Sequence, residues 1–156
     1  MKFTVPEPLS HEHEELHTQL AKATKLGGPL GEAAKAVARV LHDHFVREEE
    51  IAMPPLGLLT DVAAGRIRPE MREVLALTDT LKVELPKMLE EHARIKAALA
   101  DLERVARDQK QPEVADFARK LALHAQTEEE VLYPAALILG EYLKLKLAGA
   151  QERAAR

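Results

Sequence analysis

The sequence contains no cysteine and no tryptophan, and aromatic residues make up only 3% of the chain. The absence of thiols excludes disulfides, iron–sulfur clusters, thiolate zinc sites and cysteine nucleophiles. With so few aromatic rings, a hydrophobic core must be built from Leu, Ala, Val and Ile. Seven histidines remain against this background, and their positions are the most informative feature of the chain.

An excess of positive charge is also lacking, since 26 acidic residues against 22 Lys and Arg give a formal net charge of −4. Nucleic acid is therefore not an expected partner, because binding a phosphate backbone requires clustered Lys and Arg. Residues 1–15 are too acidic and too interrupted by proline for a signal peptide. The longest apolar stretch, Ala135 to Leu139, is far shorter than the roughly 20 residues that span a bilayer. We therefore expect a cytoplasmic protein with no membrane partner.

A helical pattern covers nearly the whole chain. Ala, Leu, Glu, Lys and Arg dominate the sequence, and no stretch alternates between apolar and polar residues as a strand does. A chain of 156 residues is long enough for one domain with a substantial core. We predict a single domain over residues 1–156, with an ordered core over about 9–147 and a short frayed tail over 148–156.

Prolines and glycines divide this pattern into four long helices. The predicted bounds are 9–26, 30–53, 70–108 and 113–147, with a short turn or helix over 56–64. Pro86 is predicted to break or kink the third helix, whereas Pro134 and Gly140 fall inside the fourth. Because the connections are short, the fold class predicted is all-α, an up-down-up-down four-helix bundle.

The apolar stripe of each helix is interrupted by polar side chains. The last stripe, for example, contains Phe117, Leu121 and Val131. At about 100° per residue, six polar residues point within roughly 30° of the stripe centres. They are His13, His44, Glu48, His92, His124 and Glu128. Two buried carboxylates without a Lys or Arg in the same layer need a compensating cation, and imidazole with carboxylate suits Fe, Mn or Zn.

The sequence repeats itself around these residues. The pattern His44-x3-Glu48-Glu49-Glu50-x3-Pro54 returns 80 residues later as His124-x3-Glu128-Glu129-Glu130-x3-Pro134. Similarly, Glu12-His13 returns as Glu91-His92. The chain is therefore predicted to consist of two pseudo-symmetric helical hairpins, over about 1–67 and 68–156. Two equivalent half-sites that face each other across a pseudo-twofold axis predict two metal ions bridged by the two glutamates.

Four segments of the chain resemble, in order, the signature segments of the hemerythrin-like, or HHE cation-binding, domains. They are EHEELHTQL, HDHFVREEEIAMPPL, MLEEHARIKAALADL and LHAQTEEEVLYPAAL. The resemblance covers about residues 9–147 and implies a four-helix bundle with a non-haem di-iron centre and an oxo or hydroxo bridge. Residue by residue, it implies the following ligands: His13 and His44 on one iron, His92 and His124 on the other, and Glu48 and Glu128 bridging both.

The chain departs from the oxygen-carrying hemerythrins at two positions. Their third helix carries His-x3-His, whereas Lys96 follows His92 here, and their last helix carries His-x4-Asp in place of His124-x3-Glu128. The chain therefore looks like the broader HHE group. Two histidines, two carboxylate oxygens and a solvent bridge leave an octahedral ion one open position, which favours O2, peroxide or NO as the small ligand.

For several side chains around the predicted centre, the sequence either predicts a position facing solvent or leaves two roles open. His17, four residues after His13, is either a fifth histidine ligand or a residue on the flank of its helix. His11 and His42 are predicted to be solvated. Four further glutamates are predicted to form a charged outer face: Glu49, Glu50, Glu129 and Glu130.

Three functions lead at this point, ahead of a zinc hydrolase, because the symmetric carboxylate pair fits a bridged dinuclear centre better than a mononuclear zinc site. The first is a di-iron protein that binds or reacts with O2, peroxide or NO in stress response, sensing or iron handling. The second is a redox enzyme of the peroxidase, catalase-like or oxygenase type, for which no sequence feature specifies a substrate pocket. The third is a metal-dependent sensor or interaction module without catalysis. The sequence leaves the oligomeric state open.

Overall fold

Four long helical segments form the structure, over residues 7–23, 28–52, 75–108 and 112–154, and we call them rods. The computed structural model describes residues 3–154, with side chains up to residue 149. The α-helices are α1 (Glu7–Ala23), α2 (Gly28–Arg47), α3 (Leu59–Ala63), α4 (Leu75–Asp108), α5 (Pro112–Thr127) and α6 (Tyr133–Ala154). Two π-helical segments, Glu48–Ala52 and Glu128–Leu132, continue α2 and α5, and 3-10 segments at Pro54–Leu58 and Pro69–Val74 flank α3. No strand occurs among the described residues, and the predicted all-α four-helix bundle is confirmed.

Most ends of the helices follow the predicted breakers. Gly27 and Gly28 adopt φ angles of 71° and 59° in the turn between α1 and α2, a left-handed backbone that favours glycine. Pro112 begins α5, where its missing N–H would have had no intrahelical partner. In contrast to the predicted end near residue 147, α6 continues to Ala154. The last two residues of the tail lie outside the described residues, and its fraying stays a prediction.

Of the two outcomes predicted for Pro86, a break does not occur, and a kink stays a prediction. Pro86 lies inside α4, which is continuous from Leu75 to Asp108. A proline in a helix leaves the carbonyl four residues earlier, here that of Lys82, without its N–H donor. Both residues lie on the exposed face of α4, so water can satisfy that carbonyl and the helix continues.

The two π-helical segments occupy equivalent positions in the two hairpins. Each begins at an inward-pointing glutamate, and a proline follows six residues later, at Pro54 and Pro134. Proline cannot donate a backbone hydrogen bond, and its ring collides with the carbonyl four residues earlier in a regular α-helix. The backbone widens instead: the N–H groups of Met53 and Tyr133 donate to the carbonyls five residues before them, at Glu48 and Glu128. Segments of this kind are rare and often accompany functional sites.

The wider turn changes which side chains face the core. Val131, predicted to belong to the last apolar stripe, is 55% exposed, whereas Tyr133 is buried. The prediction for Val131 is wrong because it assumed 3.6 residues per turn through a segment that has more. An extra residue in the turn rotates Val131 outward and brings Tyr133 inward.

The six predicted polar side chains lie between two hydrophobic clusters. The larger cluster includes Leu16, Leu41, Ile95 and Leu121, and the second includes Met88, Leu81, Ala52 and Ala136. In each rod the inward polar residues lie between a residue of the first cluster and one that belongs to, or packs against, the second. Apolar packing therefore excludes water from this polar layer on both sides.

Gly140 allows α6 to approach α4 closely. A Cβ atom at this position would lie 2.4 Å from Oγ1 and 2.7 Å from Cβ of Thr78, which is buried. We expect Gly140→Ala to lower the free energy of unfolding by about 1–3 kcal/mol through overpacking, even though alanine has the higher helix propensity. Urea unfolding measures this loss. Combining Gly140→Ala with Thr78→Gly should recover part of it, and a Gly140→Ala chain as stable as the wild type would contradict the close packing.

Candidate metal centre

Six side chains from four helical rods meet in the polar layer of the bundle. They are His13 on α1, His44 on α2, Glu48 in the first π-helical segment, His92 on α4, His124 on α5 and Glu128 in the second π-helical segment. Each is at most 5% exposed. The structure thus brings together all six residues predicted from the sequence. We call this set the buried cluster.

One part of the buried cluster consists of His44, Glu48, His92 and Glu128, whose candidate donor atoms all lie within 4.8 Å of one another. The Nε2 atom of His44 lies 3.2 Å from Oε1 of Glu48. The Nε2 atom of His92 lies 3.4 Å from Oε2 of Glu128 and 3.7 Å from Oε1 of Glu48. We refer to this part as the His44–His92 group.

The other part consists of His13, His124 and Glu128, also within 4.8 Å of one another, and we refer to it as the His13–His124 group. Oε1 of Glu128 lies 2.9 Å from Nε2 of His124 and 3.3 Å from Nε2 of His13. Oε2 of Glu48 approaches the same group, 3.9 Å from Nε2 of His13. Each glutamate therefore directs one oxygen toward each group.

The histidines pair differently from the assignment that the resemblance implied. That assignment put His13 with His44 and His92 with His124, so each hairpin supplied the histidines of one ion. In the structure the rings of His44 and His92 are 4.5 Å apart, and those of His13 and His124 are 5.0 Å apart. Each group therefore takes one histidine from each hairpin, and the assignment of histidines to individual ions stays a prediction. Neither hairpin can form a complete group alone.

Two buried atoms of the cluster have no hydrogen-bond partner, namely Oε2 of Glu48 and Nε2 of His124. The second lies 2.9 Å from a carboxylate oxygen, but without hydrogen-bonding geometry. A buried polar atom without a partner costs free energy, and both atoms are of the kinds that coordinate cations. Imidazole nitrogen and carboxylate oxygen suit Fe, Mn or Zn. The donor set therefore fits a metal ion.

The protonation of the cluster reflects its carboxylates. Burial acts to lower the pKa of His92, but contacts with Glu128 and Glu48 outweigh it and raise the pKa to about 9. Likewise, burial acts to raise the pKa of Glu128, but close contacts with His124, His13 and His92 hold it well below its usual value. The carboxyl group of Glu128 and the imidazole of His92 are thus charged at neutral pH in the protein alone, and a bound cation would displace the imidazole proton.

A second ring of carboxylates surrounds the four histidines. The Nδ1 atom of each histidine contacts a glutamate: His44 contacts Glu91 at 2.8 Å, His92 contacts Glu129 at 3.1 Å, His13 contacts Glu49 at 3.3 Å and His124 contacts Glu12 at 3.4 Å. Such partners fix the orientation and tautomer of histidines that bind metals. Glu49, Glu50 and Glu130 are exposed as predicted, whereas Glu129 is half-buried. The contacts of Glu49 and Glu129 with histidines of the cluster were not predicted.

The sequence did contain a signal for these partners. Glu12 precedes His13 just as Glu91 precedes His92, and Glu49 follows Glu48 just as Glu129 follows Glu128. The four glutamates thus form two pairs, and the members of each pair lie at equivalent positions of the repeat. A residue that is kept in both copies beside a predicted ligand is a candidate for positioning it.

The His44–His92 group is more firmly braced than its counterpart, which means that cationic side chains hold its outer carboxylates in place. Arg47 donates to Glu91 at 2.6 Å, and Lys96 donates to Glu129 at 3.0 Å. The contacts with His44 and Arg47 hold the pKa of Glu91 below its usual value even though burial acts to raise it. Among the described residues, neither Glu12 nor Glu49 has a Lys or Arg partner. At the equivalent positions of the repeat, His17 corresponds to Lys96, and Thr127 corresponds to Arg47.

Tyr133 adds a further asymmetry that the sequence did not predict. Its buried hydroxyl donates a hydrogen bond to Glu48 and lies 3.2 Å from Nε2 of His92 and 3.5 Å from Nε2 of His44. Burial and the neighbouring carboxylates raise the pKa of this phenol far above its usual range. The equivalent position in the first hairpin is Met53, which is also buried. A tyrosine therefore covers only the His44–His92 group.

The remaining histidines lie outside the buried cluster. His17 belongs to neither group, is exposed, and its ring lies 6.5 Å from that of His42. Of the two assignments left open for His17, the structure favours a residue on the flank of α1. His11 and His42 are exposed, as predicted.

One of three comparisons with known proteins gives a match. A family model described as the hemerythrin HHE cation-binding domain matches residues 4–136, a range that contains every member of the buried cluster. No curated protein and no solved structure gives a match. A search of the described helices for a membrane-spanning segment finds none of sufficient length and hydropathy.

Proposed function

Because this chain belongs to the hemerythrin HHE cation-binding domain family, we propose that its buried cluster holds two iron ions, one in each histidine group. One observation supports this proposal above all others: Glu48 and Glu128 each direct one oxygen toward each group. Carboxylates that bridge in this way are typical of dinuclear sites, where the ions lie roughly 3.5–4 Å apart. Manganese and zinc also fit the donor types.

We propose that the ligand of the centre is a small molecule such as O2, peroxide or NO. When bound, the pair of irons supplies redox capacity and Lewis acidity. The two histidines of each group and the two carboxylate oxygens directed toward it, one from Glu48 and one from Glu128, would with a solvent bridge leave room for one more ligand on an octahedral ion. The hydrophobic clusters above and below exclude bulk water from that space.

The side chains around the centre have distinct proposed roles. Glu12, Glu49, Glu91 and Glu129 hold the imidazoles in the orientation that presents Nε2 to the ions. The hydroxyl of Tyr133 is the hydrogen-bond donor at the His44–His92 group. No such donor occupies the equivalent position in the first hairpin, because Met53 lies there. We therefore expect the two ions to be chemically unequal.

An optical spectrum of the iron-loaded protein tests this function. We expect aerobic protein to show the near-ultraviolet absorption of oxo-bridged di-iron(III), and we expect peroxide, or NO after reduction, to change the spectrum. A matched sample of Glu128→Gln should lack these bands, because that variant loses a bridging carboxylate. A wild-type spectrum that is featureless and insensitive to all three ligands would contradict the proposal.

A redox enzyme is the second candidate, and one feature of the structure favours it. A cavity of about 620 Å³ lies between α1 and α2 and is lined by His13 and its partner Glu49. The sequence specified no pocket beside the predicted centre, so this cavity is the first indication of space for a substrate. Repeated turnover of peroxide by the iron-loaded protein would support this candidate, whereas a single stoichiometric reaction would support a binding protein.

Glu91 is expected to matter for metal affinity although it is not a proposed ligand. Changing Glu91→Gln removes the charge that orients His44 and should weaken metal binding about 10–100-fold, as is typical for such partners. Competition with a chelator measures the affinity. Glu90→Gln is the matched control, because Glu90 is the exposed neighbour on the same helix. Equal affinity in the two variants would mean that the outer carboxylates do not position the histidines.

A further inference from the structure

The buried cluster poses a problem of access. Its six side chains are at most 5% exposed, so a cation cannot reach them directly from solvent. The cavity between α1 and α2 ends at His13, whereas the other cavities described, on α6 and around α4 and α5, are lined by no member of the cluster. A metal site needs an entry path, and this cavity leads toward one.

The walls of the cavity carry side chains that bind cations. Glu14 and His17 come from α1, His42 comes from α2, and Glu49 comes from the first π-helical segment. The rings of His17 and His42 face each other across the cavity with centroids 6.5 Å apart. Two imidazoles on one cation, with metal–nitrogen bonds of about 2.1 Å, lie somewhat closer than this. Because both side chains are exposed, rotamer changes within nanoseconds can close the difference.

The cavity also opens onto the less braced half of the centre. The outer carboxylates of the His13–His124 group, Glu49 and Glu12, are 48% and 39% exposed, whereas those of the His44–His92 group, Glu129 and Glu91, are 21% and 11% exposed. In the braced half, Lys96 forms an ion pair with Glu129 at 2.9 Å. An ammonium group there repels an approaching cation, whereas its counterpart in the repeat, His17, can bind one.

A short path connects the cavity to the His13–His124 group. Phe45 lines the cavity and stacks on the ring of His13 at 4.2 Å with an interplanar angle of 9°. The carboxylate of Glu49 lines the same cavity and contacts Nδ1 of His13 at 3.3 Å. A cation held by Glu49 is therefore one side chain away from the buried cluster.

We propose that the cavity between α1 and α2 is the loading route of the centre, and that His17 and His42 form a transient site for a divalent cation on that route. Glu49 then passes the cation to the His13–His124 group, which fills before its counterpart. The carboxylates of Glu14 and Glu49 and the negative net charge of the chain favour the approach of cations. This inference rests on the proposed function, because it requires a metal centre to be loaded.

Stopped-flow uptake of Co²⁺ by the metal-free full-length protein tests the route, since the visible bands of Co²⁺ report binding without redox chemistry. The double variant His17→Gln/His42→Gln should load at least 10-fold more slowly than the wild type, with the same final amount of bound Co²⁺ and the same Tm. The variant His17→Lys should also load more slowly, because it places an ammonium group on the route as Lys96 does in the other half. His11→Gln and His11→Lys are the matched controls, since His11 lies exposed on the same helix and does not line the cavity.

The possible outcomes of this experiment distinguish a failure of the loading route from a failure of the proposed function. If the double variant takes up Co²⁺ at the wild-type rate, the route is overturned, and the proposed centre still stands on the amount bound. The route is also overturned if the His11 controls slow loading as much as the His17 variants, because general surface charge would then explain the rates. Wild-type protein that binds no Co²⁺ and no Fe²⁺ would overturn both the route and the proposed function.

Discussion

Glu128→Gln is expected to reduce the iron content from two ions per chain to one at most. Both oxygens of this carboxylate are used, with Oε1 lying 2.9 Å from His124 and 3.3 Å from His13, and Oε2 lying 3.4 Å from His92. The change removes a negative charge that serves both groups. Loss of an outer carboxylate already weakens metal binding by about 10–100-fold, so we expect loss of a bridging one to exceed 100-fold. Metal analysis after gel filtration measures the content.

Glu130→Gln is the matched control for this variant. Glu130 lies in the same π-helical segment, carries the same charge and is exposed, with Gln126 as its hydrogen-bond partner. It should retain full iron content. If Glu128→Gln kept two ions, the bridging role of Glu128 would be wrong, and a folded Glu128→Gln chain by circular dichroism would ensure that the loss is local.

Binding of metal should raise the thermal stability of the chain by about 10 °C. A ligand that binds only the folded state contributes about 4 kcal/mol when its free concentration is 1,000 times its Kd. For a chain of this length, 1 kcal/mol corresponds to roughly 2–4 °C in Tm. The buried cluster should be especially sensitive, because Oε2 of Glu48 and Nε2 of His124 lack partners in the protein alone. Calorimetry with and without Fe²⁺ under anaerobic conditions measures the shift.

Two variants provide the controls for this calorimetric measurement. Glu128→Gln should show little of the shift, because its affinity for the ions is lower, whereas Glu130→Gln should show all of it. A Tm that does not respond to Fe²⁺, Mn²⁺ or Zn²⁺ in the wild type would contradict a metal centre at this site. Excess chelator should reverse the shift without changing the metal-free Tm.

The six members of the buried cluster could be predicted because they obey simple helical periodicity. His13, His44, His92 and His124 lie within regular α-helices, where 100° per residue gives the direction of a side chain correctly. Glu48 and Glu128 are the first residues of the π-helical segments, so the periodicity still holds up to them. Beyond that point it fails, which is why Val131 was placed in the core and Tyr133 was not.

Pairing between helices could not be predicted in the same way. A helical wheel gives the direction of a side chain but not the identity of its neighbour on another helix. Pairing His13 with His44, or His13 with His124, satisfies the same pseudo-twofold repeat, so symmetry does not choose between them. Only the three-dimensional structure shows the grouping, with ring centroids 5.0 Å apart for His13 and His124 and 4.5 Å apart for His44 and His92.

The differences between the two halves carry as much information as the repeat itself. Lys96 against His17 and Tyr133 against Met53 are pairs at equivalent positions, and in each pair the second half of the chain supplies the residue that closes the His44–His92 group. The repeat accounts for two similar sets of ligands. These two substitutions account for one open and one closed side of the centre.

The most direct test of the account is an anomalous difference map from crystals of the iron-loaded protein, collected at the iron absorption edge. We predict two peaks about 3.5–4 Å apart, both between Glu48 and Glu128, one within bonding distance of His44 and His92 and the other of His13 and His124. A single peak, or no peak, would contradict the two-metal centre. Two peaks with His13 and His44 on the same ion would contradict the pairing that mixes the hairpins.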